Sequence, residues 1–257
     1  FYLSERMPDE DRLSFLEDEY LARSYQNPGE VNLFLSVDVD ERLYNFYYSI
    51  GLEKAREGLK LGKTNYTQRR LQPGYIDAVK EYFLIEEYLR GDIDTSALTN
   101  EAHEQGKDDY NEGLTGIRER GEVDLSPNEP WLKRMAVRHF WRAVDLLDVH
   151  GLKDQSHAGK QAIEDYMTGI EQVSTGEVVS EKLAFRKAKQ RYMSTLQLIA
   201  AGEEEIGQSP AAGRAYMDYT GVLEAIKLGE ELEEDYPAHK KAKEDYEYAI
   251  NELLLGN

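Results

Sequence analysis

A chain of 257 residues, 40% apolar and 11% aromatic, can bury a substantial core, which excludes wholesale disorder. Its formal charge of −19 repels phosphates and anionic lipid, so nucleic acid and membrane insertion are not expected, while a cation or a basic protein surface suits such a field. The absence of cysteine excludes disulfides, thiolate catalysis and cysteine-ligated zinc or iron–sulfur sites, and no apolar run approaches the ~18–20 residues needed to cross a bilayer.

In chain order, residues 9–25 open with acids and place Leu13, Leu16, Tyr20 and Leu21 at helical spacing, which predicts an N-terminal helix. Asn27-Pro28-Gly29 predicts a turn. Val31, Leu33, Leu35, Val37 and Val39 alternate, which formally favours a strand through residue 39, with an extended connector or an early helix start as alternatives. Helices are then predicted over about 40–61, 75–90, 100–120, 130–150, 155–175, 180–201, 210–229 and 236–255. Pro130, Pro210 and Pro237 fall at helix starts, Gly91 and Gly151 at helix ends, and Asp94, Thr95, Ser96 or Thr99 could cap the third helix.

A recurring pattern organises these helices. Tyr48, Tyr110 and Tyr166 each precede by three residues a glycine and then Leu or Ile: Gly51, Gly113 and Gly169. A fourth copy reads Tyr219-Thr-Gly221-Val222-Leu223, and each copy is followed by a further glycine, Gly58, Gly121, Gly176 or Gly229. Small–aromatic pairs follow at Ala78/Tyr82, Ala136/Phe140, Ala188/Tyr192 and Ala242/Tyr246. Recurrence at about 54 residues marks a repeat architecture. An interior helical glycine costs about 1 kcal/mol against alanine, so its recurrence predicts close approach of another helix backbone.

The expected fold is therefore all-α: about four helix–turn–helix units, roughly 40–91, 100–151, 155–202 and 210–256, stacked as a short solenoid or superhelix. Residues 1–39 form an N-terminal extension and 40–257 a single repeat domain. Ala136/Phe140, Ala188/Tyr192 and Ala242/Tyr246 resemble the Ala-x-x-x-Phe pattern on the second helix of tetratricopeptide-type repeats. The Tyr-x-x-Gly-Leu order and the longer period depart from that family's ~34-residue unit. The resemblance implies a groove presented to a peptide or protein partner.

Chemical motifs are scarce. The five histidines, His103, His139, His150, His157 and His239, lack paired metal-ligand spacing. His139, beside Phe140, reads as a partly buried, satisfied histidine, and His150 suits a helix C-terminus. Asp38-Val-Asp40 and Asp92-Ile-Asp94 resemble fragments of a calcium loop, but the glycine and terminal glutamate are not in place. Nothing supports a catalytic residue, a metal or a cofactor. Trp131 and Trp141 lie about 80° apart around one helix; a core position for both is the leading reading, and whichever is exposed is the first candidate for a partner contact.

The expectation is a non-enzymatic scaffold that binds a protein or peptide, a basic one included, or assembles with itself. The alternatives are an acidic cation or small-ligand binder and a helical-bundle enzyme without a recognisable motif. Absent cysteine and a start at Phe1 rather than Met favour an exported, periplasmic or extracellular protein.

Overall fold

The computed structural model describes residues 37–59, 73–91, 94–121, 123–203, 206–230 and 236–255. Among them are eight helices and no strand: α1 (Val37–Glu57), α2 (Pro73–Gly91), α3 (Glu101–Arg120), α4 (Trp131–His150), α5 (His157–Ser174), α6 (Leu183–Ala200), α7 (Pro210–Leu228) and α8 (Pro237–Leu255). They form four hairpins, and each hairpin packs on the next. The predicted helix over 9–25 and the turn at 27–29 lie outside the described residues.

The strand reading fails where it can be seen, because Val37 and Val39 are in the first turn of α1. In the sequence Asp38 and Asp40 alternate with them, and acids are favoured in a helix's first turn. Most other ends match their local chemistry. Ser156 and Ser209 accept from the amides of Gly159 and Ala212. The cap of α3 is Asn100, whose Oδ1 accepts from the His103 amide, rather than any of the four residues proposed. Asp94 instead accepts from Ser96 within its own turn. Pro130 occupies the N-cap of α4, one place before the helix. Gly58, Gly121, Gly151, Gly176 and Gly229 all have positive φ, which suits glycine at helix ends.

Helix contacts explain the interior glycines. A Cβ on Gly51 would lie 2.6 Å from the Tyr75 carbonyl oxygen, and one on Gly113 would lie 2.3 Å from that of Lys133. A Cβ on Gly169 would lie 2.8 Å from the Phe185 Cα and 3.2 Å from the Ala188 Cβ. In each of the first three hairpins the glycine lets the two backbones touch. The fourth copy departs from the expectation, because nothing lies within 4 Å of a Cβ on Gly221.

The core runs along the array as one cluster. From α2 to α7 each helix carries a fully or nearly fully buried aromatic ring at one recurring position: Tyr82, Tyr110, Phe140, Tyr166, Tyr192 and Tyr219. Four residues before each ring stands a buried small residue: Ala78, Gly106, Ala136, Ala162, Ala188 and Ala215. The small residue makes room, and the ring one turn later fills the adjoining space. In α8 Ala242 is buried, while Tyr246 is half-buried.

Two substitutions separate contact from propensity. Gly113→Ala should destabilise by about 1–3 kcal/mol through overpacking against the Lys133 backbone. Gly221→Ala, with open space around it and a helical backbone, should stabilise by up to about 1 kcal/mol. Urea unfolding of both variants measures this, and equal effects would refute the close-contact role.

Candidate interaction surface

The buried tyrosines carry a polar rule that links successive helices. Tyr48 on α1 donates to Glu81 on α2 at 2.5 Å, and Tyr82 on α2 donates to Asp109 on α3 at 2.9 Å. Tyr110 on α3 meets His139 Nδ1 on α4 at 3.1 Å. Tyr192 donates to Asp218 at 2.7 Å, and Tyr219 to Asp245 at 2.8 Å. In every case the partner is the residue immediately before the next helix's aromatic. Tyr166 breaks the rule for a chemical reason. The residue before Tyr192 is Arg191, which cannot accept, so Tyr166 donates to Asp148 at 2.7 Å and Arg191 binds the same carboxylate.

Some hydroxyls also reach one helix further. The Ala102 amide, at the start of α3, donates to Tyr48 at 3.3 Å, and the Leu132 amide, at the start of α4, donates to Tyr82 at 3.4 Å. These amides belong to helix first turns, whose N–H groups lack intrahelical acceptors. One phenol thus ties three consecutive helices.

The acids that precede these aromatics, buried at Asp109 and Asp165 and partly buried at Asp218 and Asp245, are neutralised in two ways. Arg56 grips Asp109 through Nε and Nη2, both at 2.9 Å, and Arg118 grips Asp165 at 2.8 Å through the same two atoms. Both are two-pronged pairs between successive hairpins. Each of these arginines stands eight residues after its helix's buried tyrosine, where α5 has Ser174. There the cation comes from within the acid's own helix: Arg214 pairs with Asp218, and Lys241 with Asp245. The equivalent positions in α3 and α5, four before the acid, are Gln105 and Gln161, and these bind Asp109 and Arg118 respectively. An acid precedes the recurring aromatic in every helix from α2 to α8 except α4 and α6, where His139 and Arg191 stand, a signal that the sequence reading missed.

These pairs define two layers. Arg56–Asp109 and Arg118–Asp165 connect α1 to α3 and α3 to α5; Arg191–Asp148 and Lys187–Asp145, the latter at 3.9 Å, connect α4 to α6. The first helices of the hairpins make one layer and the second helices the other.

The outer faces of these layers differ in charge. Exposed acids collect on the first layer: Glu53, Glu57, Glu101, Asp108, Glu119 and Glu164. A groove of about 420 Å³ lies there, between α1, α3 and the turn before α4, lined by Leu52, Glu53, Arg56, Glu57, Glu101 and Pro130 among others. In the second layer α6 has Arg186, Lys187, Lys189 and Arg191 and no acid, and α4 has Lys133, Arg134, Arg138 and Arg142 against Asp145 and Asp148.

The two tryptophans occupy different settings in α4. Trp131 is wedged between hairpins: its indole donates to Glu86 at 3.1 Å, Phe83 meets it edge-on, and Arg134 lies 5.2 Å over its ring. A Cβ on Gly58 would lie 2.8 Å from the same ring. Trp141 is 37% exposed on the outer face of α4, and Met193, one residue after the buried aromatic of α6 just as Trp141 is in α4, is 38% exposed.

Burial also sets the titration of the core. Tyr82, Tyr110 and Tyr166 are held well above the usual phenol range, chiefly by desolvation, and neighbouring carboxylates add to this. Tyr219 is pushed up to about 12 by burial and by its bond to Asp245. Desolvation lowers His139, which pairs with Tyr110, and His103, whose two ring nitrogens are buried without a partner. His239 Nδ1 is also buried without one, while His150 is exposed at the end of α4.

Among the described residues no group of three or more His, Asp or Glu could hold a metal ion, and no helix is long and apolar enough to cross a membrane. Asp38 and Asp40 belong to helix α1, and Asp92 lies outside the described residues. Comparison with protein-family models, with curated proteins and with solved structures gave no match.

Two expectations test the polar rule. An unfolded tyrosine loses its proton near pH 10, while the buried ones keep theirs, so the folded state binds more protons and stability falls as pH rises above about 10. Denaturation midpoints between about pH 9 and 12 should show this fall, and Tyr82→Phe or Tyr166→Phe should flatten it. At neutral pH, Asp109→Ala should cost about 3 kcal/mol by stranding Arg56 and Tyr82. Asp218→Ala should cost about 1–2 kcal/mol, because Arg214 is half exposed and in the same helix. Equal losses in chemical denaturation would refute the difference.

Proposed function

We propose that the protein is a non-enzymatic helical-repeat scaffold that presents the outer faces of its two layers to protein partners, copies of itself included. The observation carrying this reading is the charge segregation of the layers, with exposed Trp141 and Met193 on the basic one. A folded body that spends its polar chemistry on tying helix to helix is a frame, and its exposed anchors are what remains for recognition. The tetratricopeptide-like use of small residues and rings fits the same role, although fold likeness by itself does not specify function.

Native mass measurement and affinity capture from the source extract test the proposal. The expected result is a stoichiometric complex or an oligomer. A strict monomer from which no partner is recovered would overturn the scaffold reading. Trp141→Ala should weaken that complex and leave the melting temperature unchanged. Trp131→Ala should instead destabilise the fold by about 2–3 kcal/mol, since it removes a ring wedged between hairpins. Loss of binding through Trp131 alone, with Trp141 inert, would move the contact away from the outer face of α4.

A further inference from the structure

We infer that copies of this chain associate with each other, the basic outer face of α4 and α6 of one copy seating on the acidic outer face of α1 and α3 of the next. This rests on the scaffold reading and names its partner. The argument is charge complementarity carried by a single sequence. Arg138, Arg142, Arg186 and Lys189 are exposed, and among the described residues none of them is paired with an acid. Arg138 and Arg142 stand three residues before and one after the exposed Trp141 in α4, and Arg186 and Lys189 line one shallow pocket with the exposed Met193 and with Glu181. Four exposed cations on two neighbouring helices give this face a positive field within a body of net charge −19, and an acidic surface is what that field attracts.

The matching surface is present on the other layer. Its groove of about 420 Å³ has acidic walls, Glu53, Glu57 and Glu101, and contains the apolar Leu52 and Pro130. Arg56, the cation in that groove, is committed to Asp109, and Glu57 pairs with Lys54 at 3.0 Å, so among the described residues Glu53 and Glu101 are the groove's acids without a counter-charge. A basic face bearing an exposed tryptophan and methionine thus corresponds to an acid-rimmed groove with apolar surface inside it. Because the two surfaces belong to opposite layers, the contact is head-to-tail rather than two-fold. Such contacts generate rings when the rotation closes and open strings when it does not. A nucleic acid or an anionic lipid would meet the same four cations, but must do so against the field of the whole chain.

The experiment is sedimentation velocity of the full chain across a concentration series at about 0.15 M salt, where surface charges farther apart than about 8 Å are screened. Three proteins are compared: the natural chain, a variant carrying R138E, R142E, R186E and K189E, and a variant carrying E53K and E57K. The expected result is a sedimentation coefficient that rises with concentration for the natural chain and is flat for each variant alone. An equimolar mixture of the two variants should regain the rise, because each supplies the face that the other lost. Circular dichroism of each variant confirms the fold, and rescue in the mixture is an outcome that a misfolded variant could not give.

A natural chain that stays monomeric up to about 1 mM overturns the inference, as does association that survives both sets of reversals. So does a monomer that binds a DNA duplex, anionic vesicles or a poly-glutamate peptide through the same four cations. Recovery of a different protein in native capture, with the chain itself monomeric, overturns this inference alone and leaves the scaffold reading in place.

Discussion

The array depends on what happens to the hydroxyl of each buried tyrosine. A ring large enough to fill the space between helices brings a polar tip with it, and leaving that tip unpaired would cost about 1–3 kcal/mol. Here the tip is handed to the next helix, except at Tyr166, which turns back to Asp148 on α4, and for Tyr48 and Tyr82 it also receives an amide from the helix beyond. Packing and polar satisfaction are therefore met by one residue per helix. Register along the stack follows from this: a hairpin shifted by one residue would present its neighbour's phenol with the wrong side chain.

Burying an acid to receive that proton creates a second requirement, since a carboxylate removed from water needs a counter-charge. The first two junctions meet it with arginines that reach across from the preceding hairpin. The third meets it inside one helix through Arg214. The structure thus holds two solutions to one electrostatic demand, and which solution appears is set by a single position, Arg56 and Arg118 against Ser174. Exposed charge is distributed separately, acids over the first layer and cations over α4 and α6, so internal neutralisation leaves the outer faces free to differ.

Much of the architecture was legible from sequence because its signals are local and steric. Helix spans follow from apolar periodicity, and Gly51, Gly113 and Gly169 identify close backbone approach because glycine has few other reasons to recur inside a helix. Gly221 shows the limit of that logic: the same residue one place earlier in the pattern faces open space. Val37 and Val39 misled because a short alternation does not tell a strand from an early helix turn, and the adjacent acids decide it. The acids that accept from tyrosine were hidden for a different reason. In a chain with 50 Asp and Glu, an acid before a tyrosine looks like any solvated one until the next helix's position is known. The charge difference between layers was hidden likewise, because it emerges only once alternate helices are grouped.

The relocation of the counter-cation from Arg118 in α3 to Arg214 in α7 also makes the array mechanically uneven. The third and fourth hairpins share the Tyr192–Asp218 bond, Asp218 takes its cation from its own helix, and the buried residues of α7 and α8 are alanines, Tyr219 and His239. In a stack whose cohesion is a sum of nearest-neighbour terms, the weakest junction sets where the body parts. A load drawn along the axis would therefore peel off the fourth hairpin first, leaving three hairpins standing, and single-molecule extension would record that length released ahead of the rest.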